Sequence, residues 1–347
     1  MGAPFTIEPI RTVEDLEDRL TTPGPRLVAS MRRIEGDMSI LGAGGKMGPT
    51  LSRLAARGAQ AAGVEKRIIG VSRFSDPSVR ERLESYGVET IQSDLLEPGA
   101  IEHLPETPNV IFMVGRKFGS TGAEWATWSN NVFLAGLVGR RFRKSRIVAF
   151  SSGNIYPFVG VDSGGATEAT PAAPVGEYAM SCLGRERLFD YAANELGARV
   201  LHLRLNYAVE LRYGVIADVA NLVWQEMPVD LKMGHVNVIW QGYANSVALQ
   251  CLELAASPPA ILNVSGRETV SIRRVAERLG ELMGRRPRFE NEEARTALLS
   301  NAGRCHERFG EPDVDLDTVV QWIAHWTMHG GESLDKPTHF QVRNGRF

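Results

Sequence analysis

The sequence predicts an α/β fold, a doubly wound parallel sheet followed by a smaller mixed α/β lobe, on three observations. Six short apolar runs alternate with helical patterns, the first run opens into a cluster of glycines, and the alternation loosens after about residue 207. The runs span 38–41, 67–71, 89–92, 109–114, 146–151 and 199–205. Strands separated by helices join through βαβ crossovers, and such crossovers place the strands parallel.

Residues 1–36 form an extension ahead of the first strand. Thr12 caps a short helix with Glu14 and Asp15 in its first turn, and Pro23 and Pro25 follow. The strand 38–41 then runs into Gly42, Gly45 and Gly48, ahead of a helix with Leu51, Leu54, Ala55 and Ala62 on its apolar face. One glycine permits the tight reversal, a second clears space for a pyrophosphate, and a third lets the helix pack closely on the strand. The anion would rest on free N–H groups at the helix N-terminus, drawn from Gly42, Gly45, Lys46, Met47 and Gly48. This is a Rossmann-type turn with G-x-x-G-x-x-G spacing, because Met47 stands where G-x-G-x-x-G would need glycine.

The second strand ends at Ser72 and Arg73, with no carboxylate to accept a ribose 2′-hydroxyl. A serine and an arginine suit a 2′-phosphate, so NADP is favoured over NAD. After the third strand, Asp94 and Leu95 stand where an adenine amino group would lie, and a helix N-cap explains Asp94 equally well. Val114 and Gly115 close the fourth strand against the cofactor, and Ser151 closes the fifth. Residues 37–208 thus make the nucleotide-binding domain and 209–347 a substrate lobe. That lobe holds strands near 236–240 and 261–264, the latter returning to the main sheet.

The composition, 43% hydrophobic and 23% charged over 347 residues, is that of a globular protein, and the length allows two lobes. A net charge of −2 supplies no basic surplus for nucleic acid or an anionic membrane, which leaves a small molecule as the expected partner. Cys182, Cys251 and Cys305 are too scattered for a zinc site or a disulfide framework. His325 and His329 have the spacing of a metal pair but lack a third ligand, so no metal is assigned. Without a signal-peptide pattern or a spanning apolar run, the expected location is cytoplasmic.

Several further pieces fall in order: Asn131 after the fourth strand, then Ser151-Ser152-Gly153-Asn154-Ile155-Tyr156, then Tyr178-Ala179-Met180-Ser181-Cys182, and later Asn263-Val264-Ser265-Gly266. With the glycine turn and Asp94-Leu95, they resemble the extended short-chain dehydrogenase/reductase superfamily, in its NAD(P)-dependent epimerase/dehydratase group, from about residue 38 to 207. The resemblance implies that Ser152 hydrogen-bonds the reacting oxygen and that Tyr178 exchanges a proton with it while hydride moves at the nicotinamide. It also implies that Asn131 serves the cofactor site. The implied reaction is oxidoreduction, epimerisation or dehydration at a hydroxyl or ketone of a carbohydrate-like substrate. Asn154, Asn206, Tyr207 and Trp240 are the expected substrate contacts. In relatives the helices matching 125–140 and 178–195 form a dimer interface, which implies a homodimer.

Position 182 departs from the family. The pattern is Tyr-x-x-x-Lys, with a lysine that holds the nicotinamide ribose and lowers the tyrosine pKa, and here it is Cys182. Arg116, Lys117 and Arg185 are candidate replacement cations. Three readings stand open: a rebuilt enzyme, with Cys182 among its catalytic residues, a nucleotide-binding sensor without turnover, or a dinucleotide held permanently as structure. The second lobe departs as well. His235 and Gly242 occupy the places of the arginine and aspartate that relatives direct at a substrate diphosphate, so a smaller polyol, sugar acid or keto sugar is expected.

Overall fold

Seven strands, all parallel, make the central sheet: β1 (Met38–Leu41), β2 (Ile68–Ser72), β3 (Glu89–Gln92), β4 (Asn109–Phe112), β5 (Arg146–Ser152), β6 (Arg199–Leu205) and β7 (Ala260–Val264). The computed structural model describes residues 5–346; positions 1–4 and 347, the ends of the expected extension and tail, lie outside that range. The sheet order is β7-β6-β5-β4-β1-β2-β3. The chain steps outward from β1 to β3, then crosses back to lay β4 on the other side of β1, with Leu41 beside Phe112. Where the order reverses, loops leave β1 and β4 toward opposite faces and open a crevice at the carboxyl ends of the strands. Both faces of β1 and β4 are buried, which is why these runs read as continuously apolar.

The extension holds two helices. In α1 (Val13–Leu20) the Thr12 hydroxyl accepts the Asp15 N–H at 3.1 Å, as a cap should. Pro25, expected only to follow that helix, opens α2 (Pro25–Arg33), because a proline at the first position sacrifices an N–H that has no helical partner anyway. Leu16 and Leu20 of α1 enter the second lobe's core, while Leu27 and Met31 of α2 pack on α3 (Gly48–Ala62), where Gly58 admits the crossing.

Two expected elements are interrupted. The helix over 125–140 is broken by a π-helical turn, Ser129–Phe133, between α-helical Glu124–Trp128 and Leu134–Arg141. Asn131 sits in that wider turn and is fully buried. The strand over 236–240 splits into His235–Val236 and Ile239–Trp240, which pair with different partners. Between them, Asn237 accepts the Ser300 N–H and donates to the Glu268 carbonyl, and these bonds replace a continuous ladder. Helices Val215–Trp224, Ile272–Met283 and Leu316–Met328 close the second lobe around its own core. Among the described residues no helix is long and apolar enough to cross a membrane.

A buried ion pair joins the sheet to the helix Gly176–Leu196. Arg204 on β6 donates to both Glu186 carboxylate oxygens, at 3.0 and 2.8 Å, and to the Tyr156 hydroxyl at 2.7 Å. Ser151 donates to Glu186 at 2.6 Å, and Tyr156 donates to Asn263 of β7 at 2.8 Å. Burial pushes the Glu186 carboxyl up, but the hydrogen bonds and charge of Arg204 outweigh it, leaving the carboxyl below its ordinary value. The pair therefore contributes stability above the unfolded carboxyl pKa of about 4.3 and loses it as pH falls through the lower folded value. Glu186→Gln, which strands the arginine, is expected to cost about 3–5 kcal/mol in a denaturant titration at neutral pH, with the deficit narrowing in acid.

Candidate functional site

The turn after β1 is shaped by close approach of backbone. Gly42 has φ +96°, and a Cβ there would stand 3.0 Å from the Val114 nitrogen. At Gly48 a Cβ would lie 2.4 Å from the Ala43 carbonyl oxygen, so glycine alone lets α3 begin against the turn. No side chain caps α3, whose N-terminus opens on the crevice as an anion seat.

Two cavities meet at this turn and share Gly42, Gly45 and Gly115. One, of about 370 Å³, is lined by Ser72, Arg73, Asp94, Leu95 and Val114. Asp94 accepts the Leu96 N–H at 3.0 Å and lies 4.0 Å from the Arg73 guanidinium. The other, of about 320 Å³, is bounded by Lys46, Met47 and Gly48 on the turn and by Ser151, Ser152 and Asn154 after β5. Asn206 and Tyr207 close it beyond β6. End to end, the two make a channel from the tip of β2 to the tip of β6, the shape an elongated dinucleotide requires.

Ser152, Tyr178 and Cys182 come together at the inner end. The Ser152 hydroxyl accepts the Asn154 N–H at 3.1 Å and is hydrogen-bonded to the Tyr178 hydroxyl. Tyr178 also hydrogen-bonds Cys182, one helical turn away. Burial pushes the Tyr178 hydroxyl well above its ordinary value and Cys182 adds to the rise, while the charge of Arg185 pulls the other way. Cys182 is fully buried and its thiol is pushed up, which is the opposite of a nucleophilic thiolate.

Of the three candidate cations, two enter this cavity. Arg185 donates to the Phe150 carbonyl at 2.6 Å, and its Nη2, buried without a protein partner, sits where a Cβ on Gly115 would be 2.9 Å away. An orphaned donor above a glycine-lined floor is the environment a ribose or carboxamide oxygen fits. Lys117 donates to the Thr338 carbonyl at 3.1 Å, and its Nζ is 5.9 Å from the centre of the Tyr178 ring; burial lowers it to about 8. Arg116 turns away, its guanidinium on the Gly119 carbonyl.

Two of the expected residues lie outside the lining of the two cavities. Asn131 does not line either cavity: it accepts the Arg116 N–H at 2.8 Å and donates to the Arg116 carbonyl and to Ser181, so it holds the loop after β4 in place. Trp240 does not line the inner cavity. Its strand pairs with Ala208–Val209 and its ring packs on Trp322 at 5.6 Å, inside the second lobe's core. Residues the sequence did not single out take part instead: Tyr213 and Thr338 line the inner cavity, and Asn130 and Lys336 the outer one. His325 and His329 stack at 4.0 Å beside Phe5, in the second lobe.

A doubly wound parallel sheet with a glycine-walled crevice and a serine–tyrosine pair at its inner end defines a nucleotide-binding enzyme of the extended short-chain dehydrogenase/reductase type. Residues 38–209 match the model of the NAD dependent epimerase/dehydratase family, and over those residues the chain belongs to that family. No curated protein matches the sequence. Among solved structures it is similar to a UDP-glucuronic acid 4-epimerase from Bacillus cereus in complex with NAD, with TM-score 0.69, 14% identity, and 84% of this chain and 99% of that one covered. It is also similar to a UDP-glucose 4-epimerase from Thermotoga maritima (TM-score 0.66, 14% identity, 85% and 99% covered). A third is the UDP-glucose 4-epimerase complex with NAD from Thermus thermophilus (TM-score 0.67, 18% identity, 83% and 98% covered). At such identities the likeness speaks for the fold.

Gly48→Ala is expected to force α3 away from the turn. Reduced-nicotinamide fluorescence titration should show dinucleotide affinity reduced at least about tenfold, equivalent to about 1.4 kcal/mol, in a variant whose circular dichroism is unchanged.

Proposed function

We propose that the chain binds a nicotinamide dinucleotide along the two cavities and transforms a hydroxyl or ketone of a small carbohydrate-like substrate, by oxidoreduction or by redox-neutral epimerisation or dehydration. The observation that carries this reading is the Ser152–Tyr178 hydrogen bond inside a cavity continuous with the glycine turn. When bound, the nicotinamide ring supplies reversible hydride storage. Ser152 holds the substrate oxygen, and Tyr178 gives or takes the proton at that oxygen. Arg185 supplies the positive charge that the family's lysine would bring, three residues from Cys182 on the same helix.

The end of β2 favours a 2′-phosphate. Arg73 is exposed on the rim of the outer cavity, Lys336 adds a second cation there, and Asp76, the nearest acid in sequence, caps the next helix through the Ser78 N–H. The named structures bind UDP-sugars or NAD, but here His235 lies on the strand paired with Val270–Ser271, outside the inner cavity. We therefore place a substrate without a diphosphate. The cysteine at 182 favours one other reading, a nucleotide sensor, whose mark would be tight dinucleotide binding without turnover on any substrate. We place a second copy of the chain on the helices over 124–141 and 176–196, because Trp125, Phe133, Met180 and Tyr191 stand exposed there.

With the best substrate from a panel of polyols, sugar acids and keto sugars, Tyr178→Phe is expected to lower kcat by about 10²–10⁴-fold and to leave the dinucleotide Kd within about twofold. In the same assay Arg185→Gln should move the midpoint of the rate's rise with pH upward, since a lost cation makes the phenol harder to ionise; an unmoved midpoint would remove Arg185 from this role. Sedimentation of a Trp125→Asp, Phe133→Asp double variant is expected to show monomers where the native chain runs as a dimer.

A further inference from the structure

We propose that residues 334–339 are a strap that closes the channel over the bound dinucleotide, and that release of Thr338 from Asp218 sets how fast the dinucleotide enters and leaves. This deepens the reading above and rests on it for the ligand. Lys336 lines the outer cavity and Thr338 the inner one, so the chain passes from one to the other within two residues. A dinucleotide laid through both cavities meets the strap in each, just as it meets the shared glycines of the turn in each.

The two ends of the strap are tied down. Ahead of it the Trp326 indole donates to the Glu332 carbonyl at 2.9 Å, and the Leu334 N–H donates to the Arg212 carbonyl at 3.2 Å. Beyond it Phe340 is buried in the second lobe's core, and Arg343 donates to the Thr296 carbonyl and hydroxyl, both at 2.8 Å. Between Leu334 and Phe340 only Thr338 is buried, while residues 335–337 are exposed. Both lobes hold that one residue. Its N–H and hydroxyl donate to Asp218 at 2.8 and 2.6 Å, and Lys117, from the loop after β4, donates to its carbonyl at 3.1 Å. Asp335 and His339 have φ +49° and +52°, a left-handed backbone that side chains resist and that persists where neighbouring contacts hold it. There is also room for the strap to move. A third cavity, of about 500 Å³, is lined by Asp335, Pro337 and His339 of the strap and reaches Tyr213 and Asp218. A fixed wall would be packed on that side. A segment anchored at both ends, held in the middle by one residue and bordered by open space can come away without unfolding either lobe.

The test mixes the protein with NADPH or NADH in a stopped-flow fluorimeter, follows association over a range of dinucleotide concentrations, and then follows release into an excess of the oxidised form. In the native chain the association rate is expected to level off with rising concentration, at the rate of strap opening. Asp218→Ala and Thr338→Val should each raise that plateau and the release rate at least about fivefold. Hydrogen exchange of the cofactor-free protein should be at least about tenfold faster in both variants at the protected amides over 334–342, with the rest of the second lobe unchanged. Association that stays linear in concentration in the native chain, or rates that neither variant moves, overturns the proposal. Faster release with unchanged association does so too, since the strap would then be a fixed wall touching the ligand. If neither dinucleotide binds the native chain or either variant, the dinucleotide reading falls. Hydrogen exchange then decides the strap alone: unchanged exchange in both variants overturns it, and faster exchange confined to 334–342 upholds it for another ligand.

Discussion

The geometry of the reacting end depends on one buried pair, Arg204 with Glu186. Taking both charges out of water offsets much of what their attraction returns, so a well-packed apolar pair could rival it in stability alone. What an apolar pair could not supply is direction. Two parallel N–H···O bonds fix the helix Gly176–Leu196 in rotation and height against β6, and the Ser151 bond to the same carboxylate extends that register to β5. Tyr178 lies two turns back on that helix, and Ser152 is the next residue along β5. The hydrogen bond between them is therefore set by a network behind the cavity, with Tyr156 and Asn263 carrying it on to β7.

The same burial that secures this geometry explains the arginine at 185. A lysine enclosed here does not keep its charge easily: desolvation lowers Lys117 to about 8 and Lys46 to about 7. A guanidinium stays protonated under the same conditions because its charge is delocalised and its intrinsic pKa lies above about 12. Tyr178 already has burial and the Cys182 sulfur raising its pKa. A cation that itself neutralised near working pH would help it least where help is needed. A small buried cysteine stands at 182, and the charge of Arg185, on the same helix, acts to lower the Tyr178 pKa.

What could be read from the sequence follows the range of the interactions involved. The turn after β1, the caps and the parallel strands are local, and Gly42, Gly48 and Thr12 show them through sterics or a single hydrogen bond. Ser152 and Tyr178 were named from the order of motifs that resembles the family, since nothing local to the end of β5 or to the helix Gly176–Leu196 shows that the two meet. The packing of Trp240 was not legible because alternation cannot tell which of two cores an aromatic enters; Trp322, 82 residues later, decides it. The contacts of Asn131 were not legible because its partners are the Arg116 backbone, fifteen residues back, and Ser181, and neither contact has a periodicity. Thr338 and Lys336 belong to a segment without regular structure, whose path over the crevice depends on tertiary contacts alone.

That segment also settles how a chain of net charge −2 presents a positive cavity. Thr338 has one face to Asp218, to which it donates two hydrogen bonds, and its carbonyl to Lys117. Glu210 is matched in the same way by Arg212, which also reaches Glu17 of α1 at 3.4 Å. Among the described residues the charged side chains that line the cavity are Lys46, Lys117 and Arg185, while Asp218 and Glu210 stand behind it, each held by hydrogen bonds of its own. A low-dielectric cleft concentrates the field of the charges that line it and screens little of it, so the sign felt inside is that of the lining rather than that of the molecule. Net charge describes the whole molecule, and it carries no information about a cavity whose charges are sorted in depth.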